Sequence, residues 1–134
     1  LGFVPDVGGI AELGIPVVED ISQAFGGNDG QRKAGSYGSF VLMSLESDGM
    51  LTAGGGALVL ARGKRELGKL RKQAAQYGRH VMLPDMNAAL AIPQLRNLEA
   101  NLARRRDIAQ VYSRALASTR HSPLVQQGEA ENVY

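Results

Sequence analysis

The sequence predicts an α/β domain, and three observations predict it. Two apolar runs of strand length, Phe40-Val41-Leu42-Met43 and Ala57-Leu58-Val59-Leu60, flank a loop rich in Gly, Ser and Asp. A shorter run, Ile15-Pro16-Val17-Val18, precedes them and leads into Glu19-Asp20. Beyond Gly63 the spacing of apolar residues becomes helical. Continuous apolar runs suit strands buried on two faces, which is how sheets covered by helices are built.

The first run, preceded by Gly14, reads as a buried strand with two carboxylates at its carboxyl end. From Gly26 to Ser39 the chain is dense in glycine and carries Asn28, Asp29 and Ser36, a composition that fits loops and a small hairpin. The runs at 40–43 and 57–60 follow as two strands buried on both faces. Leu67, Leu70, Ala74 and Tyr77 then recur at three- and four-residue steps, an amphipathic helix closed by Gly78. From Asp85 to about Ala117, Leu95, Leu98, Leu102, Ala109, Tyr112 and Leu116 form a second stripe. Pro93 lies inside it and removes a hydrogen bond, so a kink or a break is expected near residue 92. Unbroken, that element would be roughly 45 to 50 Å long, more than a compact domain of this size needs, and it reads as a connector between two lobes. The expected organisation is a sheet-bearing part over residues 1–84, a connector helix over 85–117, and a polar tail or start of a small domain over 118–134.

With 134 residues, 44% of them apolar and 21% charged, the chain has the composition of one globular domain or part of one. It contains no cysteine, which excludes disulfides and thiolate metal sites, and no metal-binding residues are singled out. No apolar run approaches the roughly 18 to 20 residues of a membrane span, and no secretory leader pattern opens the chain. A soluble, cytoplasmic protein is expected. The start at Leu1 and the unpunctuated end at Tyr134 predict a piece of something longer. A formal charge of +2 does not call for a polyanionic partner. The basic clusters at Lys64-Arg65, Lys69, Arg71-Lys72 and Arg104-Arg105-Arg106 all fall in helical segments and read as solvated faces, so no nucleic-acid partner is expected.

Val17-Val18-Glu19-Asp20-Ile21-Ser22-Gln23-Ala24-Phe25-Gly26, then Gly30, Gly35-Ser36-Tyr37-Gly38 and Met43-Ser44-Leu45 resemble, without gaps, the central block of the DegT/DnrJ (StrS-type) nucleotide-sugar aminotransferases, enzymes dependent on pyridoxal phosphate (PLP). Leu51-Thr52-Ala53-Gly54-Gly55-Gly56-Ala57 is similar to that family's Thr-x-Gly-Glu-Gly-Gly turn. Residues 87–95 and 103–109 resemble its long helix. The resemblance covers roughly residues 14 to 117 and rests on several blocks in the same order. It implies the aspartate-aminotransferase fold (PLP fold type I): a mixed sheet in a large domain, a smaller C-terminal domain, and active sites shared across a homodimer. This chain would supply the later part of the large domain and the helix leading out of it.

The resemblance also implies roles. Asp20 matches the carboxylate that keeps the cofactor's pyridine nitrogen protonated, and it stands just beyond a strand's carboxyl end, where α/β sheets place ligand groups. On the residues alone, a strand-end aspartate serving as a turn or helix cap is the favoured reading, and the resemblance reverses that. Gln23 matches the side chain that contacts the ring or its phenolic oxygen, and Ser44 the hydroxyl that binds the phosphate; either could be an ordinary polar residue. Gly54, Gly55 and Gly56 read as turn formers. Five residues after Ser44 the family places its Schiff-base lysine, and this chain has Gly49; Glu46 to Gly56 contains no lysine. Glycine can neither bond the cofactor nor carry a proton. His80 stands where the family commonly has an asparagine that reaches the neighbouring subunit's phosphate, Met82 replaces an arginine, and Gly55 replaces the glutamate of the turn. His80 also reads as a surface histidine, and His121 carries no role. The expectation is a fragment or degenerate member of the family, a homodimer, that binds PLP, and with it a nucleotide sugar, without transaminating. The alternative is a non-catalytic dimerisation or interaction module on the same scaffold.

Overall fold

In a computed structural model the structure describes residues 2–78, 82–121 and 130–133. His80 lies outside the described residues, as do 122–129 of the tail. Among the described residues the elements run α1 (Val7–Ala11), β1 (Val18–Asp20), β2 (Phe40–Ser44), β3 (Ala57–Ala61), α2 (Lys64–Tyr77), α3 (Asp85–Arg96) and α4 (Leu98–Leu116). The strands form one sheet in the order β1-β2-β3. β1 runs parallel to β2, with Asp20 opposite Leu42, and β3 runs antiparallel to β2, with Ala57 opposite Ser44. It is a mixed α/β sheet. No helix among the described residues is long and apolar enough to cross a membrane.

The first strand begins later than its apolar run suggested. Ile15 and Pro16 are exposed and outside the ladder; a proline has no N–H to give a neighbouring strand. Pairing starts at Val18 and carries past Asp20, since the Ile21 N–H donates to the Leu42 carbonyl at 2.9 Å. The expected small hairpin is present in reduced form, as a bridge between Asn28 and Lys33.

The expectation that β2 and β3 are buried on both faces is corrected. Val41 and Met43 are buried while Leu42 between them is 36% exposed, so β2 alternates as a strand packed on one side does. On β3, Val59 and Leu60 are exposed and only Leu58 packs against the core. The core lies on one face of the sheet: Ile21, Val41, Met43 and Leu45 meet Leu51 and Ala53 of the following loop, with Ala91 of α3 against them. Nothing among the described residues covers the other face to the same extent. The stripe of α2 is half-buried at Leu70 and Ala74 and exposed at its ends, with Tyr77 at 59% exposure.

The long helical region is two helices, and the interruption falls at Asn97 rather than near residue 92. Pro93 is accommodated inside α3. The Asn97 N–H closes the last turn onto the Pro93 and Gln94 carbonyls, and Asn97 takes φ −97° and ψ 10°, off the helical path. Its carbonyl then accepts from the Asn101 N–H in the first turn of α4. Leu102 of α4 is buried with Met50 and Val133 in a second cluster, flanked by Phe25 and Leu98. This packing explains Gly26. Its φ is +94°, and an added Cβ would stand 2.7 Å from a Leu102 methyl, so only glycine lets the loop pass so close to α4.

Two charged side chains organise the loop over residues 35–38 from opposite sides. Glu19, 6% exposed, accepts through Oε2 from the Gly35 N–H at 2.7 Å and through Oε1 from the N–H groups of Tyr37 (2.7 Å) and Gly38. Arg62, just past β3, donates from Nε to the Gly38 carbonyl at 3.0 Å and from Nη2 to the Gly35 carbonyl at 3.3 Å. The buried carboxylate is satisfied by backbone donors, the condition under which such a group is tolerated inside a protein.

Candidate functional site

Because β1 and β2 are parallel neighbours, their carboxyl ends open on the same edge of the sheet, and this brings Asp20 and Ser44 together. The link between them is Ser22. Its hydroxyl donates to Asp20 Oδ1 at 2.5 Å, its backbone N–H donates to the same oxygen at 3.0 Å, and its Oγ accepts from the Ser44 N–H at 2.9 Å. The hydrogen bonds from Ser22, side chain first and backbone second, hold the Asp20 carboxyl below its usual range against a small opposing effect of burial. The resulting stabilisation is present above the ordinary carboxylate pKa and is lost as pH falls through the depressed folded value. Gln23 lies exposed in the turn that follows. Sequence reasoning passed over Ser22, although an Asp-x-Ser spacing is the signature of a side chain bonding the backbone two residues on.

The Ser44 hydroxyl accepts from the Glu46 N–H at 3.1 Å and keeps a proton of its own to donate. From Ser44 the chain enters a loop that closes on Leu45, the most buried side chain of the core. The Leu45 carbonyl accepts from the N–H groups of Ala53 (2.9 Å) and Gly55 (3.1 Å), and its N–H donates to the Gly56 carbonyl at 2.9 Å. Helix α3 grips the same turn. The Asn87 amide donates to the Ala53 carbonyl at 2.6 Å, and Gln94 both donates to the Thr52 carbonyl and accepts from the Thr52 N–H at 3.2 Å. Gly49 stands within this loop, half-buried, its N–H donating to the Glu46 carbonyl at 3.2 Å. It is not among the glycines with positive φ, and an added Cβ would meet its nearest neighbour, the Leu51 carbonyl oxygen, at 3.1 Å. Its φ does not demand a glycine, and a side chain at 49 needs the Leu51 carbonyl to move by a few tenths of an ångström.

Position 55 differs. Gly55 has φ +120°, and an added Cβ there would lie 3.5 Å from a carboxylate oxygen of Glu46. A glutamate would be strained and would bring a second carboxylate beside the first. Gly55→Glu is therefore expected to destabilise the chain by about 1 to 3 kcal/mol, read as a lower urea midpoint by circular dichroism. An unchanged midpoint would show that the turn adopts another conformation freely.

A cavity of about 340 Å³ lies elsewhere, walled by Asp6, Glu12, Asp29 and Tyr37 with Gly8 and Gly9. Tyr37 comes from a block that carries the resemblance, but Asp20, Gln23, Ser44 and Gly49 do not line it. The Tyr37 hydroxyl donates to Asp29 Oδ2 at 2.5 Å, which holds the Asp29 carboxyl below its usual range and the Tyr37 phenol above its own. Three carboxylates around one opening repel a phosphate group. Met82 is exposed.

A family model described as the DegT/DnrJ/EryC1/StrS aminotransferase family matches residues 7–134 of the chain. Among solved structures, the aminotransferase TlmJ from Streptoalloteichus hindustanus is 26% identical and superposes with a TM-score of 0.88 over 99% of this chain and 41% of its own. DesV from S. venezuelae, also 26% identical, gives a TM-score of 0.84 over 98% of this chain and 40% of its own. EpsN of Bacillus subtilis (strain 168) is 26% identical over 115 residues, 77% of this chain. The chain spans 30% of the length of EpsN. The mixed sheet with its helices has the architecture of PLP fold type I seen in these aminotransferase structures.

Proposed function

The chain belongs to the DegT/DnrJ/EryC1/StrS aminotransferase family, and on that premise we propose that it is a degenerate member that holds PLP, or its amine form, without transaminating. One observation carries the reading: at the carboxyl ends of two adjacent parallel strands, Ser22 ties the Asp20 carboxylate to the backbone N–H of Ser44, whose hydroxyl stands beside it, and the loop that follows presents a glycine. Asp20, kept anionic by Ser22, would accept from the ring's N–H. Gln23 would meet the ring or its phenolic oxygen. Ser44 would donate to the phosphate the proton that its bond from Glu46 leaves over. The cofactor, once bound, supplies an electron sink. Gly49, at the position of the family's lysine, has no amine to bond it and no base to move a proton, so binding would proceed without turnover. A nucleotide sugar as co-ligand and a cytoplasmic homodimer as the working form complete the proposal.

A non-catalytic dimerisation or interaction module is the second reading. It is favoured by the exposed apolar residues of α3 and α4, among them Met86, Leu90, Leu95, Val111 and Tyr112.

Equilibrium dialysis against pyridoxamine phosphate tests the first reading. The native chain is expected to bind it, and Asp20→Ala to weaken binding by about 10- to 100-fold, the worth of a hydrogen bond to a charged group. Turnover with an amino donor should be absent in both. Failure of the native chain to bind would sink the cofactor reading and leave the interaction module.

A further inference from the structure

We propose that Ser22 is a positioning residue for this site, a hydroxyl that ties the carboxylate at the end of β1 to the backbone at the end of β2 and so fixes the direction in which Asp20 faces a ring nitrogen. The inference deepens the cofactor reading above and rests on it.

The direction of each bond follows from what each group can do. The Ser44 N–H is a donor only, so at 2.9 Å Ser22 Oγ must accept from it. The hydroxyl proton then points elsewhere, and Asp20 Oδ1 at 2.5 Å receives it. The Ser22 N–H lands on that same oxygen. Two donors on Oδ1 fix the carboxylate's rotation and leave Oδ2 for a ligand's N–H. A hydroxyl that accepts from one partner while donating to another is polarised by both, which strengthens the bond to the carboxylate. The hydrogen bonds from Ser22 lower the Asp20 carboxyl's pKa against the opposing effect of burial. The side chain is exposed, so without this tether it would sample other rotamers in water.

A turn-forming serine with no role toward a ligand would also bond Asp20, so the test must separate the two. Three measurements do so: the Asp20 carboxyl titration followed by NMR in the unliganded chain, pyridoxamine phosphate affinity by dialysis, and that affinity repeated in an Asp20→Asn background. Ser22→Ala is expected to raise the Asp20 pKa toward its ordinary value and to weaken binding about tenfold, as loss of one charge-assisted hydrogen bond would. Ser22→Thr keeps the hydroxyl and should restore both. In the Asp20→Asn background most of the penalty for Ser22→Ala should vanish, because the serine acts through the carboxylate. An equal penalty in both backgrounds, or an unchanged Asp20 titration in Ser22→Ala, would overturn the inference. If the native chain binds no pyridoxamine phosphate, the cofactor reading fails. The titration of the unliganded chain then still decides whether Ser22 governs this carboxylate.

Discussion

Gly49→Lys is expected to turn the proposed reversible hold on PLP into a covalent one. The native chain should show no visible absorbance band of a lysine-bound cofactor. The variant should show one, and borohydride followed by peptide mass mapping should fix the label at residue 49. The effect is large because it is qualitative: an amine is supplied where the loop has none. The structure favours its success. Position 49 has no left-handed φ to forbid a side chain, and its closest new contact, 3.1 Å to the Leu51 carbonyl oxygen, needs a shift of only a few tenths of an ångström. The loop is also anchored independently of residue 49, by Leu45 and by Asn87 and Gln94 of α3. A variant that folds, binds pyridoxamine phosphate as the native chain does, and forms no adduct would place residue 49 out of reach of the cofactor, which the proposed role of Gly49 does not survive.

Glu19→Ala should be the most damaging single substitution in the sheet, costing about 3 to 5 kcal/mol, because it strands three backbone N–H groups at once in a buried or half-buried place. That is a large share of the roughly 5 to 15 kcal/mol by which a domain is stable. Glu19→Gln should cost about half as much, since an amide oxygen at the Oε1 position keeps the bonds from Tyr37 and Gly38 while its NH₂ meets the Gly35 N–H donor to donor. Urea denaturation of the three proteins checks the order. An alanine variant within about 1 kcal/mol of the native chain would mean that water replaces the carboxylate.

The apolar runs at 40–43 and 57–60 made β2 and β3 legible because a strand needs little more than length and side-chain character to be seen. Helix α2 and its end at Gly78 were legible for the same reason, an unbroken period and a terminator. Burial was not. Val59 and Leu60 are apolar and exposed, and an apolar residue reports what its sequence can tolerate, not what neighbour is at hand. The break at Asn97 was hidden behind Pro93, the louder helix signal, whose missing N–H α3 absorbs. At the site, Asp20 and Ser44 were visible through the resemblance. Ser22 was not, because its importance comes from strand pairing, which places a residue 22 positions away within hydrogen-bond distance. In the sequence Glu19 is one of two strand-end acids, and only the folded chain separates them: one turns inward to hold a loop, the other outward to the sheet's open edge.

The anchoring of the 45–56 loop bears on how such a protein changes over generations. Its shape is specified by a buried leucine, an asparagine, a glutamine and a run of glycines, none of which is the residue that would do chemistry. Position 49 supplies none of these anchors, so the loop can keep its shape through a change there once the Leu51 carbonyl gives way by a few tenths of an ångström. On the proposed reading, exchange of a lysine for Gly49 leaves every one of these anchors in place, and Gly49→Lys meets the same anchors again.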